Sequence, residues 1–179
     1  IESCRKWSSN ENDFPKTAVL FFMHGGVEYL LENYDCKLLT DKFPRFLNSC
    51  PVYKVKDYDF CFLSGGHAAP QAVDTLETLK ALGTEKVITV GMYGAFSNLV
   101  DCGDIVIPSK AFVEEGTSLH YYDSIEYSTP EKNLHKQALE YFKANNYSIV
   151  STDSVYRQTF LKEQEWRDKG AVGVDMETS

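Results

Sequence analysis

YDFCFLSGGHAAPQAVDTLETLKALGTEKVITVG, residues 58–91, is the stretch that decides the fold. An apolar run of strand length ends in paired glycines, and a segment with Ala72, Leu76, Leu79 and Leu82 at helical spacing follows. Gly83 supplies a helix stop, and a second apolar run, KVITVG (86–91), begins three residues later. Strand, helix and strand in that order form a βαβ unit with its two strands parallel. The unbroken apolar character of 86–91 predicts a central strand covered on both faces.

The same alternation continues outward in both directions. Upstream, TAVLFF (17–22) reads as a strand, and HGGVEYLLENY (24–34) as an amphipathic helix opened by two glycines, with Val27, Leu30 and Leu31 on one face. Residues 37–51 are less regular, and PVYKVK (51–56) has the alternation of an edge strand. Downstream, DIVIPSKAFV (104–113) is strand-like, and PEKNLHKQALEYFKANN (130–146) is a helix with Pro130 at its start and Leu134, Leu139 and Phe142 on its apolar side. YSIVST (147–152) is a strand, LKEQEWRDKG (161–170) a short helix, and AVGVDM (171–176) a last strand. The expected architecture is α/β, three-layered around a central mixed, largely parallel sheet, in a single domain over residues 1–179.

Composition bounds what such a domain does. Hydrophobic residues make up 43% and charged residues 25%, the profile of an ordinary globule. The 18 basic residues are outnumbered by 26 acids, giving a net charge of -8 with no dense basic cluster. That balance excludes nucleic acid and an anionic membrane surface as partners, and any anion needs a local pocket. Cys4, Cys36, Cys50, Cys61 and Cys102 are odd in number and unpaired in spacing, so they read as reduced thiols of a cytoplasmic protein. The four histidines have no metal-ligand spacing, and neither a metal nor an organic cofactor is expected.

Three strand ends deliver glycine-rich or polar loops: HGG (24–26), SGG (64–66) and GMYG (91–94). In an open parallel sheet, ligands sit beyond the carboxyl ends of the strands, where such loops gather. None of the three is a P-loop or a dinucleotide fingerprint. Together with the segments that follow them they carry a resemblance. VGMYGAFSNLVDCGDIVIPSKAFVEEGTSLHYY (90–122) resembles the central segment of the nucleoside phosphorylase superfamily, STDSVY (151–156) its serine-aspartate base-site strand, and EWRDKGAVGVDMETS (165–179) its helix and strand ending in E-M-E-[ST]. The spacing is most similar to that of uridine phosphorylases.

The resemblance implies the site residues. A carboxylate at a strand end can accept from both hydroxyls of a ribose, and the resemblance gives that catalytic role to Glu177, with Met176 on the sugar face. Asp175 either joins them or anchors neighbouring loop amides. His120 reads as a ribose-side residue or as packing beside two tyrosines, and His24 as a residue able to reach a sugar or an anion. Base recognition falls to Val155, Tyr156 and Gln158, with Val155 where the family has an aromatic residue. Phosphate, the co-substrate, falls to Gly25, Gly91, Met92 and Arg157. The family's two phosphate arginines and its hydroxyl residue are matched here by Tyr29, Thr89 and Met92. Arg157 either compensates for them or is a solvated surface residue.

The implied activity is cleavage of a nucleoside N-glycosidic bond, with a uridine-type nucleoside and phosphate as the expected substrates. Hydrolysis by water, and nucleoside binding without catalysis, are the alternatives. The resemblance also implies a homodimer or a hexamer of dimers. Thr178 and Ser179 have the character of helix N-cap residues, so a following helix is expected beyond the last residue, and the domain is expected to be incomplete there.

Overall fold

The computed structural model describes residues 14–179 and groups the chain into two compact units, one ending at Met92 and the other running from Tyr93 to Ser179. Cys4 lies outside the described residues. In the first unit, β1 (Thr17–Phe22), α1 (Gly26–Asn33), β2 (Cys36–Thr40), β3 (Val52–Val55), β4 (Phe60–Ser64), α2 (Ala68–Ala81) and β5 (Lys86–Gly91) follow one another. Their sheet has the order β2-β3-β4-β1-β5, with β1 parallel to both β4 and β5 and the β2, β3 and β4 pairs antiparallel. The βαβ unit of 58–91 is therefore present, with β1 inserted between its two strands.

Ala18, Leu20, Phe43, Val52, Cys61, Leu63 and Leu79 form the core of this unit. The buried stripe of α2 differs from the one expected: Thr75 and Thr78 are fully buried, whereas Leu76 is exposed. Thr75 can be buried because its hydroxyl donates to the carbonyls of Gly65 and Gln71 and accepts from Arg45. Arg45 is buried as well, and its guanidinium donates to Ser64 O at 3.0 Å and Asn48 O at 2.6 Å, tying the irregular 43–50 segment to the end of β4. Asp74 completes the tie by accepting from the amides of Phe46 and Leu47.

Two strand expectations are corrected. β3 is an inner strand, because Cys36–Thr40 forms a further strand outside it. β5 lies at the edge of this sheet, paired with β1, and Ile88 and Val90 are exposed. A continuous β-branched run marks a strand but does not fix how many neighbours cover it.

The second unit contains β6 (Gly94–Ala95), β7 (Lys110–Glu114), β8 (Tyr127–Ser128), α3 (Lys132–Phe142), β9 (Ser148–Thr152), α4 (Phe160–Asp168) and β10 (Ala171–Asp175). Its sheet order is β6-β10-β9-β7-β8; β10, β9 and β7 are mutually parallel, and the two-residue edge strands are antiparallel. The strand expected over 104–113 is confined to Lys110–Glu114, with one isolated parallel bridge from Val106 to Asn145 upstream. Pro108 between them has no N–H to give a ladder. Trp166 of α4 packs with Phe112, Val150, Ala171 and Val174, and Val100, Ala111, Ile149 and Val172 form a neighbouring cluster. Gly173 is required by close approach: an added Cβ would come within 2.3 Å of the Tyr93 ring and 3.0 Å of Gly94 O.

Both helix starts in this unit are capped from the sequence. Glu131 accepts from the amides of Asn133 and Leu134 at α3, and Thr159 accepts from Lys162 N at α4. The fold is thus α/β, with mixed sheets in which the inner strands of the second unit and the β4-β1-β5 set of the first are parallel.

Candidate functional site

Parallel pairing brings the carboxyl ends of β7, β9 and β10 to one edge, with Glu114 opposite Thr152 and Asp175 opposite Ser151. The loops that leave this edge are joined by side chains rather than by ladder bonds. Ser151 is fully buried, and its hydroxyl donates to Asp175 Oδ1 at 2.5 Å while accepting from the amides of Thr178 at 3.1 Å and Ser179 at 2.9 Å. Asp175 also accepts from Thr178 N at 3.4 Å and, on Oδ2, from Thr178 Oγ1. It therefore anchors loop amides, one of the two roles open to it from sequence. The bonds close a turn that spans Met176 and Glu177, both partly buried.

Glu115, buried although it is an acid, organises the neighbouring loop. Its carboxylate accepts from Thr117 N at 2.5 Å, from Ser118 N at 3.1 Å and from Ser179 Oγ at 3.4 Å. Asp153, just past β9, accepts from Gly116 N at 2.9 Å. Two backbone amides and a hydroxyl thus satisfy the buried Glu115 carboxylate. Sequence reading missed Glu115 and Ser151 as organisers, although both lie inside the motifs it singled out.

The remaining expected residues of this unit stand on the same loops. His120 is exposed on the single 3₁₀ turn Ser118–His120. Val155, Tyr156 and Arg157 form a second such turn after β9, and all three are exposed. Gln158 is partly buried, and its amide donates to Glu163 Oε1 at 3.4 Å, which leaves the amide oxygen as an acceptor. Beside this edge, Glu114 is bridged to Lys162 at 2.7 Å. Burial pushes the Glu114 carboxyl up, but the Lys162 hydrogen bond, the approach of the Trp166 indole N–H and the charges of Lys162 and Lys169 outweigh it, so the group lies below the usual range. The indole N–H leans towards Glu114 without closing a hydrogen bond of good geometry.

In the first unit, Phe21 lies opposite Ser64 and Phe22 opposite Gly91, so the loops after β1, β4 and β5 leave at one end of their sheet. Gly25 takes a left-handed conformation, φ 84°, that lets the chain turn into α1. A cavity of about 200 Å³ opens here, with His24, Glu28, Cys50, Pro51 and Ser64 among its lining residues. Among the described residues, neither arginine nor lysine lines it. Tyr29, Thr89 and Met92 are exposed, and Arg45 is spent on carbonyls and a hydroxyl inside the unit. Burial pushes the Cys50 thiol up and Cys61 up to about 12, so neither provides a thiolate at neutral pH. Among the described residues, no group of three or more histidine, cysteine or acidic side chains is placed to hold a metal, and no helix is long and apolar enough to cross a membrane.

Acids, hydroxyls and a closed acidic turn thus gather at the carboxyl ends of the parallel strands β7, β9 and β10, the end at which open α/β sheets hold their ligands. The chain belongs to the phosphorylase superfamily, whose sequence profile matches residues 18–179. It is 28% identical to a guanosine phosphorylase of Halorubrum lacusprofundi, with 94% of this chain and 71% of that protein covered. It is 29% identical to an uncharacterised protein of Acanthamoeba polyphaga mimivirus over 67% of this chain, and it spans 48% of that protein's length. Among solved structures, it superposes on a uridine phosphorylase of Vibrio fischeri complexed with 6-hydroxy-1-naphthoic acid with a TM-score of 0.80, at 26% identity, covering 94% of this chain and 71% of that one. A second structure of the Vibrio fischeri enzyme gives a TM-score of 0.79 at 27% identity.

Proposed function

We propose that the protein is a nucleoside phosphorylase-type pentosyltransferase, which cleaves the N-glycosidic bond of a nucleoside, with a uridine-type substrate favoured and phosphate as the nucleophile. The observation that carries this reading is the closed acidic turn after β10 in a chain of this superfamily: the bonds of Asp175 with Ser151 and Thr178 close the turn that holds Glu177. In this reading Glu177 accepts from the 2' and 3' hydroxyls and stabilises the positive charge that develops on the ring as the bond to the base breaks. Met176 packs on the sugar, with His120 nearby on the ribose side. Gln158, with Val155 and Tyr156, meets the base, its amide offering a donor and an acceptor to a pyrimidine edge. Gly25, Gly91, Met92 and Arg157 are the phosphate contacts.

One observation favours water as the nucleophile instead. The cavity after β1 has a carboxylate, Glu28, in its lining and no guanidinium or ammonium, which weakens the case for a dianion there. The experiment is release of free base from a panel that includes uridine and guanosine, run with and without phosphate. Phosphate-dependent release with ribose 1-phosphate as product is the expected result. Ribose as product transfers the reading to hydrolysis, and binding without product rejects catalysis altogether.

A further inference from the structure

We propose that Ser151 is a positioning residue for the Glu177 carboxylate, acting through the turn that Asp175 closes; the inference rests on the nucleoside-cleaving reading above. The Ser151 hydroxyl is fully buried in the middle of a parallel sheet, where an apolar side chain would be the cheaper occupant. All three of its hydrogen bonds go to residues 175–179: one donated to Asp175 Oδ1 at 2.5 Å and two accepted, from Thr178 N at 3.1 Å and Ser179 N at 2.9 Å. None goes to its own strand or to β7. The hydroxyl thus serves one segment, and Glu177 lies inside that segment.

Asp175 completes the device. Its Oδ1 accepts from the Ser151 hydroxyl and its Oδ2 from the Thr178 hydroxyl, so the side chain bridges the first and fourth residues of Asp175–Thr178. The turn that holds the two residues between them is thus closed around a buried hydroxyl. A carboxylate that must accept from two vicinal hydroxyls at once tolerates little error in orientation, whereas one that accepts from a single hydroxyl tolerates more. Ser151 should therefore matter most for substrates that carry the 2' hydroxyl.

That difference separates positioning from structural support. Ser151→Ala is tested alongside Thr178→Val, which removes a bond to Asp175 at an exposed position outside the buried core. The readout is kcat/KM for a ribonucleoside the enzyme cleaves against its 2'-deoxy counterpart, uridine and 2'-deoxyuridine first. Ser151→Ala should lower the ribonucleoside value about tenfold or more and the deoxy value by about threefold at most, the fold-change of one weakened hydrogen bond to a charged group. Thr178→Val should move the ratio in the same direction by less. Equal losses on both substrates, or no loss, overturn the inference while leaving the nucleoside reading intact. If Ser151→Ala does not fold, the Thr178→Val ratio decides alone. A wild-type protein that neither cleaves nor binds any nucleoside removes the reading and the inference together.

Discussion

Asp175 and Glu177, separated by Met176 alone, belong to the same acidic turn. Asp175 receives a buried serine hydroxyl, a threonine hydroxyl and a backbone amide, so its accepting capacity goes to the fold. Glu177 is the acid proposed to meet the substrate, and Glu177→Gln tests it because the amide keeps the shape and removes the charge. Ribonucleoside binding should weaken by about 1.5–3 kcal/mol, the usual worth of hydrogen bonds to a charged group. Calorimetric titration with a ribonucleoside and its 2'-deoxy analogue checks this. The deoxy ligand should lose less, and equal losses would place the sugar elsewhere. The D-M-E-T run located both acids and its resemblance gave the ribose to Glu177, but it left Asp175 between the sugar and the loop amides. Asp175's structural part depends on Ser151, 24 residues upstream, and only the parallel register of β9 and β10 brings the two together.

At the scale of elements, the strands and helices with a single strong period were legible. β1 is read at its observed bounds, α2 and α4 are placed within a few residues, and Gly83 marks the end of α2, whereas the N-caps Glu131 and Thr159 come from the structure alone. What escaped was set by pairing: the short edge strands β6 and β8, the outer position of β2, and the exposure of β5. Two-residue strands have no period to detect. The Glu114–Lys162 bridge belongs to the same class, linking β7 to α4 across 48 positions of sequence. Its pH dependence has a definite sign. Glu114 titrates lower in the fold than its ordinary 4.5, so its contribution is fully present above that value and is lost as the pH falls through the folded value. In Lys162→Met, burial is left less opposed, and stability at pH 7 should fall by about 0.2–1 kcal/mol, as expected for a half-exposed pair. The difference should shrink below pH 4.5 as Glu114 takes up a proton. Urea titrations followed by circular dichroism from about pH 3 to about pH 8 measure it. A constant gap across that range would mean that the bridge is not what Lys162 contributes.

For the molecule as a whole, the unexplained feature is apolar surface in a chain of net charge -8. The segment after β7, which carries Leu119, Tyr121 and Tyr122, is tied to the one after β9 by Gly116 N to Asp153, and the latter carries Tyr156 and runs into Phe160 and Leu161 at the start of α4. All six are exposed, with Phe160 at 92% and Tyr156 at 101%. Large aromatic side chains bury roughly 150–250 Å² each, so the set approaches the roughly 800 Å² per partner of a standard interface. A second copy of the chain is the partner the superfamily resemblance implies, and self-association is the expected behaviour. Light scattering or sedimentation should then give a mass that is a multiple of 20.3 kDa. Like charges oppose the contact, so added salt should strengthen it rather than weaken it, the reverse of an ion-paired interface. The double change Tyr156→Ser and Phe160→Ser, at positions too exposed to support the core, should return the mass towards the single chain. A mass of 20.3 kDa at all salt concentrations, unchanged by the double substitution, would show that this surface does not join copies of the chain.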